Sequence, residues 1–235
     1  MKKFYSLITL LVLVMMLVAC GGGAKLKDVN QAKEYFNATV SEYKAAQSAA
    51  LVLTMQDEET TITTELAYNK SKSEYSLKMT TADGTIASVI KGGKSYMDTY
   101  GSKNVVDIEA SELATILENY TFEKLSAYVL NVFGGNFFDV ATIVSAEDGK
   151  AVLECDVFSL EVNSEMDPEE QEDLMYDIQM LSSLKLEFEF ADGKVTKLVA
   201  LFEDMDANVS KVSLEFKSVA EQTIEVANAS EYEAQ

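Results

Sequence analysis

Four dipeptides, Asp83-Gly84, Gly92-Gly93, Asp148-Gly149 and Asp192-Gly193, stand between runs in which apolar and polar residues alternate. Such pairs suit two-residue hairpin loops, because both central positions of a type I′ turn need φ > 0. The runs beside them read as half-buried strands. Leu51, Leu53 and Met55 share one face; Ile62, Leu66 and Tyr68 share another, opposite Thr61, Thr63 and Glu65. Tyr75, Leu77 and Met79 alternate with Glu74, Ser76 and Lys78, and Ser95 to Met97 reads as a further strand. Late in the chain the pattern returns in Leu184-Leu186-Phe188-Phe190, around Val195 to Phe202, and in Val212-Leu214-Phe216. One wet and one dry face per strand is the mark of an antiparallel sheet. The sequence therefore predicts an antiparallel meander.

Three stretches change period. Asp28 can cap a helix in which Val29, Ala32, Tyr35, Phe36, Val40 and Tyr43 recur at helical spacing. Ser111 opens a second pattern, through Leu113, Ile116, Leu117, Tyr120, Leu125, Tyr128, Val129 and Val132, closed by Gly134-Gly135. The third begins at Asp167-Pro168, an N-cap followed by proline at the first helical position, and runs to Ser182. Its stripe is Leu174, Met175, Ile178, Leu181 and Leu184, and the carboxylates Glu169, Glu170, Glu172 and Asp173 crowd its positive end. Pro168 is the sole proline, so no Pro-rich linker divides the chain, and residues 28–235 read as one domain.

Composition removes much chemistry. With no histidine, Ser-His and Cys-His nucleophiles and His-ligated metal sites are excluded. A net charge of −20 with no arginine argues against nucleic-acid binding, which needs cations to displace phosphate counterions. The same charge is repelled by anionic headgroups, so no polybasic patch holds the chain to a membrane. Only Cys20 and Cys155 occur. Cys155 alternates with Glu154 and Asp156 on the face of Leu153 and Val157, which fits a small buried hydrophobe better than a reactive thiolate. A hydrolase would need a carboxylate pair, and none stands out.

Three segments imitate motifs. Gly93-Lys94-Ser95 matches the tail of a phosphate loop, but Ser88 stands where its first glycine belongs and a strand follows. Ser41-Glu42-Tyr43-Lys44 has the spacing of penicillin-binding enzymes without their other two elements, and it ends an amphipathic helix. Asp204, Asp206, Asn208 and Glu215 match four ligand positions of a calcium loop, yet Val209 replaces its glycine. That segment reads as a turn between strands, with a weak surface Ca²⁺ site left open. No cofactor is expected.

The N-terminus carries the clearest address. Lys2 and Lys3 precede an apolar run from Ile8 to Ala19, too short for the ~20 residues that span a bilayer. The ending Leu17-Val18-Ala19-Cys20 resembles the lipobox of bacterial lipoproteins. In that family the chain is cut before the cysteine, whose thiol carries diacylglycerol. The resemblance implies a signal peptide at 1–19, lipidation at Cys20, a flexible tether at 20–27 and a place on the extracytoplasmic face of the cell membrane. It would leave Cys155 without a disulfide partner.

The order of elements, helix, long meander, helical interruptions, closing strands, resembles the Lol-type lipoprotein carriers and the related lipoproteins that carry acylated glycolipids. That resemblance implies an α+β fold: a curved antiparallel sheet forming an incomplete barrel, with the N-terminal helix and two helical segments on its concave face. It also implies non-catalytic binding of a lipid or other apolar ligand. Inward candidates for a cavity are Tyr75, Leu77, Met79, Leu186, Phe188, Val212, Leu214 and Phe216. The same face could equally close as ordinary core. The rival function is then an envelope interaction or sensor module that recruits a protein partner through its acidic surface.

Overall fold

The computed structural model describes residues 25–234 except 110–111, 113–114, 116–121, 123–125, 134 and 165. The signal segment and Cys20 lie outside the described residues, as does most of the helical pattern expected from Ser111 onward. Helix α1 spans Val29–Ala45, and Asp28 caps it by accepting from the Gln31 N–H. Six strands follow: β1 (Ser48–Gln56), β2 (Thr61–Asn69), β3 (Glu74–Thr81), β4 (Gly84–Lys91), β5 (Lys94–Thr99) and β6 (Ser102–Asp107). Two short helices, α2 (Ala127–Phe133) and α3 (Phe137–Val140), precede β7 (Ala141–Glu147) and β8 (Lys150–Cys155). Helix α4 (Pro168–Gln179) leads into β9 (Leu181–Ala191), β10 (Lys194–Asp204) and β11 (Val209–Ser218), and a two-residue β12 (Glu233–Ala234) comes last.

All twelve strands join one sheet, in the order β12-β6-β5-β4-β3-β2-β1-β11-β10-β9-β8-β7. It is an open α+β sheet, not closed into a barrel, with β12 and β7 at its edges. Every pairing is antiparallel except β12 with β6. The seam is β1, which pairs with β2 on one side and with β11 on the other.

Register assigns faces. Leu51 lies opposite Leu66 and Phe216; Leu66 lies opposite Leu77; Leu214 opposite Leu198, which faces Phe188; Leu186 opposite Leu153. The alternation read from the sequence thus assembles into one continuous inner face, and α1 lies against it. Ala32, Phe36, Thr39 and Tyr43 are the buried residues of α1. The buried Thr39 hydroxyl accepts from the Val195 N–H at 2.9 Å, where β10 bulges against β9, so the break in the ladder leaves no orphan donor.

The outer face is polar, and cross-strand ion pairs such as Lys78–Glu65, Lys197–Glu215 and Lys150–Glu189 stud it. After β11 the chain runs back over the ends of β2 to β6. Asn69 donates to the Gln222 carbonyl, Lys91 to that of Ile224, and Tyr232 meets Tyr96 edge-on at 5.5 Å. Ile224, a residue of this strap, is buried against the sheet, and the strap ends as β12 against β6.

Several local expectations shift. Gly92-Gly93 and Asp192-Gly193 have positive φ at both residues, as type I′ requires. At Asp148-Gly149 only the glycine does, and the third hairpin turns at Ala82-Asp83, with Gly84 already paired to Thr81. A further turn, Tyr100-Gly101, has φ of 54° and 88°. The Asp98 carboxylate accepts from the Gly101 N–H, and the Tyr100 ring sits where a Cβ on Gly84 would be, 2.8 Å away. Helix α4 stops at Gln179, so Leu181 and Leu184 belong to β9 and not to the helical stripe. The packed structure already begins at the N-terminal side of α1: Leu26 is buried in the core and Lys25 bridges to Asp148.

Candidate apolar groove on the inner face

The two rims of the sheet differ in what they carry. Lys25 meets the β7–β8 turn, and register places on that same near rim the start of β1, the Gly92-Gly93 turn and the end of β6. The far rim carries the turns at 57–60, 82–83, 100–101 and 205–208, together with α4.

All eight cavity candidates point to the inner face, but burial divides them. Tyr75, Leu186, Phe188 and Leu214 are packed core, the closed arrangement that the sequence left open for this face. The reason is local: aromatic side chains from the helices reach down onto β9. Phe138 lies 5.4 Å from Phe36 and 6.1 Å from Phe188 between ring centres, and Phe137 packs edge-on to Phe133 at 4.8 Å. Leu77, Met79, Val212 and Phe216 are only half-buried. Phe216 meets Tyr43 edge-on and borders a cleft of about 380 Å³ beside the end of α1.

Beyond β1 the cover thins. The near-rim row Tyr68, Tyr75, Ile90 and Ser95 is buried. The rows below it, Leu77-Ser88-Met97 and Met79-Ile86-Thr99, are half-buried or exposed, and Met55 at the seam is exposed as well. Along this strip an open groove of about 420 Å³ lies at the near rim of β5 and β6. Ser95, Val106, Asp107 and Ile108 form its floor, and the helical residues Glu112 and Thr115 form its wall. Its volume falls in the range of small-molecule sites. No residue of the expected lining touches it. The alternating pattern of β6 is too short and too polar, Ser102 to Asp107, to have stood out as a strand.

Cys155 is buried at the end of β8, and burial together with Asp156 and Glu154 pushes its thiol pKa up to about 12. Asp204 uses its carboxylate inside its own turn, accepting from the N–H groups of Asp206 and Asn208 and from the Asn208 amide. Those bonds hold its pKa below the ordinary carboxylate value. Among the described residues no cluster of three or more carboxylate or thiol groups is arranged to hold a metal ion. Nor is any helix there long and apolar enough to cross a membrane.

No family model and no curated protein matches the chain. Among solved structures, similarity in shape is found to LprF from Mycobacterium bovis, at 14% identity and a TM-score of 0.39, over 84% of this chain and 95% of that one. An uncharacterized conserved protein from Thermus thermophilus aligns at 7% identity and 0.32, over 85% and 98%. A beta-barrel-like protein from Brucella abortus aligns at 10% and 0.19, over 74% and 98%. Likenesses this distant say nothing about ligand or activity.

Proposed function

We propose that the chain is a lipoprotein anchored through Cys20 on the extracytoplasmic face of a cell membrane, and that it binds an acyl chain or similar apolar ligand without catalysis. The observation that carries this reading is the open groove at Val106 and Ile108, on the same inner face as the half-buried or exposed Leu77, Met79, Ile86 and Met97. Apolar surface left open in this way gains by taking up an apolar guest, at roughly 25 cal/mol per Å² removed from water. Methionine suits such a surface, since its unbranched thioether adapts to irregular partners.

Position supports the reading too. The groove lies on the near rim, the rim at which Lys25 enters the domain. Four residues separate Lys25 from Cys20, so the five Cα-to-Cα steps between them reach at most ~18 Å when fully extended. A lipid-modified Cys20 would therefore turn this rim toward the bilayer, with the groove at β5 and β6 across the sheet from the β7–β8 turn where Lys25 enters.

Native mass spectrometry of the membrane-purified lipoprotein tests this. A substoichiometric adduct of lipid mass, released on collisional activation while the covalent modification stays, is expected. The variant Val106→Glu, on the exposed floor of the groove, should lose most of that adduct with its thermal midpoint unchanged. Delipidated protein that neither carries nor rebinds any lipid probe would overturn the proposal.

A further inference from the structure

We propose that the far rim around α4 docks a basic, amphipathic segment of a partner protein. This inference is independent of the groove. Four large apolar side chains stand exposed there: Phe158 (76%), Tyr176 (65%), Met180 (49%) and Met205 (60%). The fold brings them to one place. Tyr176 and Met180 are four residues apart on the solvent side of α4, whose other side buries Leu174 and Ile178. The 3₁₀ turn bearing Phe158 packs against both α4 and β9. Leu181, next to Met180, pairs with Asp204, next to Met205, and the Ser182 hydroxyl donates to the Asp204 carbonyl at 2.9 Å. Phe158 is also held in place, because Asp156 accepts from its N–H and from the Ser159 hydroxyl. An aromatic fixed in water by its own turn is anchored for a contact outside the chain.

The surrounding charge selects the partner. From Asp156 to Asp177 the sequence has nine carboxylates and no lysine, arginine or histidine. Eight of the nine lie among the described residues, and there no lysine forms an ion pair with any of them. Glu172 and Asp173 continue the exposed side of α4 from Tyr176 toward its N-terminus. An apolar patch rimmed by unneutralised carboxylates complements apolar residues interleaved with lysine or arginine, and it repels anionic lipid. The far rim is also the rim away from Lys25, and an eleven-residue strand such as β9 spans roughly 36 Å. That length exceeds the reach of the segment joining Lys25 to Cys20, so a bilayer-anchored chain would present this patch to proteins and not to lipid.

The test titrates the full mature lipoprotein, in detergent micelles, with an 18-residue helical peptide of leucine and lysine, and separately with its leucine–glutamate counterpart. Saturable 1:1 binding of the basic peptide alone is expected, weakened at least tenfold by the double variant Phe158→Asp/Tyr176→Asp. Glu172→Gln/Asp173→Asn should weaken it severalfold and flatten its salt dependence. Val144→Asp, at an equally exposed apolar residue on β7, should leave it unchanged. Binding that ignores the Phe158/Tyr176 variant, or falls equally with Val144→Asp, would reduce the effect to bulk charge and overturn the proposal. So would flotation of the delipidated protein with phosphatidylcholine vesicles that depends on Phe158 and Tyr176.

Discussion

The two halves of the sheet share one inner face and one alternating pattern, yet they reach different ends. On β8 to β11 the inward Leu153, Leu184, Leu186, Phe188, Leu198, Ala200 and Leu214 are fully or almost fully buried, while Val212 and Phe216, on the strand next to the seam, are half-buried. On β3 to β6 they include Met79, Ser88, Met97, Thr99 and Asn104, none of them fully buried. The covered half meets aromatic side chains from α1 and α3; the open half mixes methionine with small polar residues that tolerate water. Alternation alone therefore selects a face, while the chemistry of the inward positions shows whether that face is sealed.

The largest expected contrast is in stability. Phe188→Ala should cost about 3–5 kcal/mol, since its neighbours cannot collapse into the space, whereas Met97→Ala should stay within about 0.5 kcal/mol. Urea unfolding of both variants measures this, and equal losses would erase the distinction between the halves.

Gly135→Ala should come next. A Cβ there would meet the Glu161 carbonyl oxygen at 1.9 Å, in backbone and not in a movable side chain. The adjoining Asn136 also clamps that loop, donating to the Ser159 carbonyl at 2.9 Å and accepting from the Glu161 N–H at 2.6 Å. Overpacking of this kind costs about 1–3 kcal/mol, and it should loosen α3 over the covered half first. Hydrogen exchange at Asp139 and Val140, whose N–H groups donate to the Asn136 carbonyl, would report it; protection equal to wild type would mean the helix is held elsewhere.

Thiols give a sharper, pH-dependent comparison. Folded Cys155 keeps its proton to about pH 12, so alkylation at pH 8 should follow unfolding only, while Met97→Cys on a Cys155→Ala background should react directly. Because the folded pKa lies above the ordinary thiol value of ~8.5, the stability tied to this proton is complete below that value. It is lost progressively as pH rises toward 12. The alkaline loss should therefore be steeper in wild type than in Cys155→Ala, and identical slopes would place the thiol in water.

The smallest effect is expected at the rim of the open half. Met55→Gln should leave the unfolding midpoint within error and lower only the amount of lipid carried, read by the same mass spectrometry.

Legibility in the sequence follows the same division. Helix α1, its Asp28 cap, the Asp167-Pro168 start of α4 and the strands flanking β1 were all readable, because periodicity and capping are local. The inward face was readable as well, including all eight candidate residues. Which of them are sealed was not, since Phe137 and Phe138 come from a helix of only four residues that no periodicity announces. The Tyr100-Gly101 hairpin was hidden for another reason: tyrosine rarely takes positive φ, and it is held there by the Asp98 carboxylate bonding to the Gly101 N–H and by its ring stacking over Gly84. The groove at Val106 was missed with it, because β6 exists only as the partner of that turn.

The seam at β1 has a consequence for biogenesis. Residues 48–56 find one of their two neighbours only in residues 209–218, so the sheet cannot be completed until almost the entire chain is available. Such distant pairing is slow to form. A chain threaded across a membrane from its N-terminus would emerge as a hairpin ladder with an unpaired inner strand, and it would lock only once its last long strand had followed. Delayed closure would leave the β1 edge as the point at which a stalled or truncated chain aggregates.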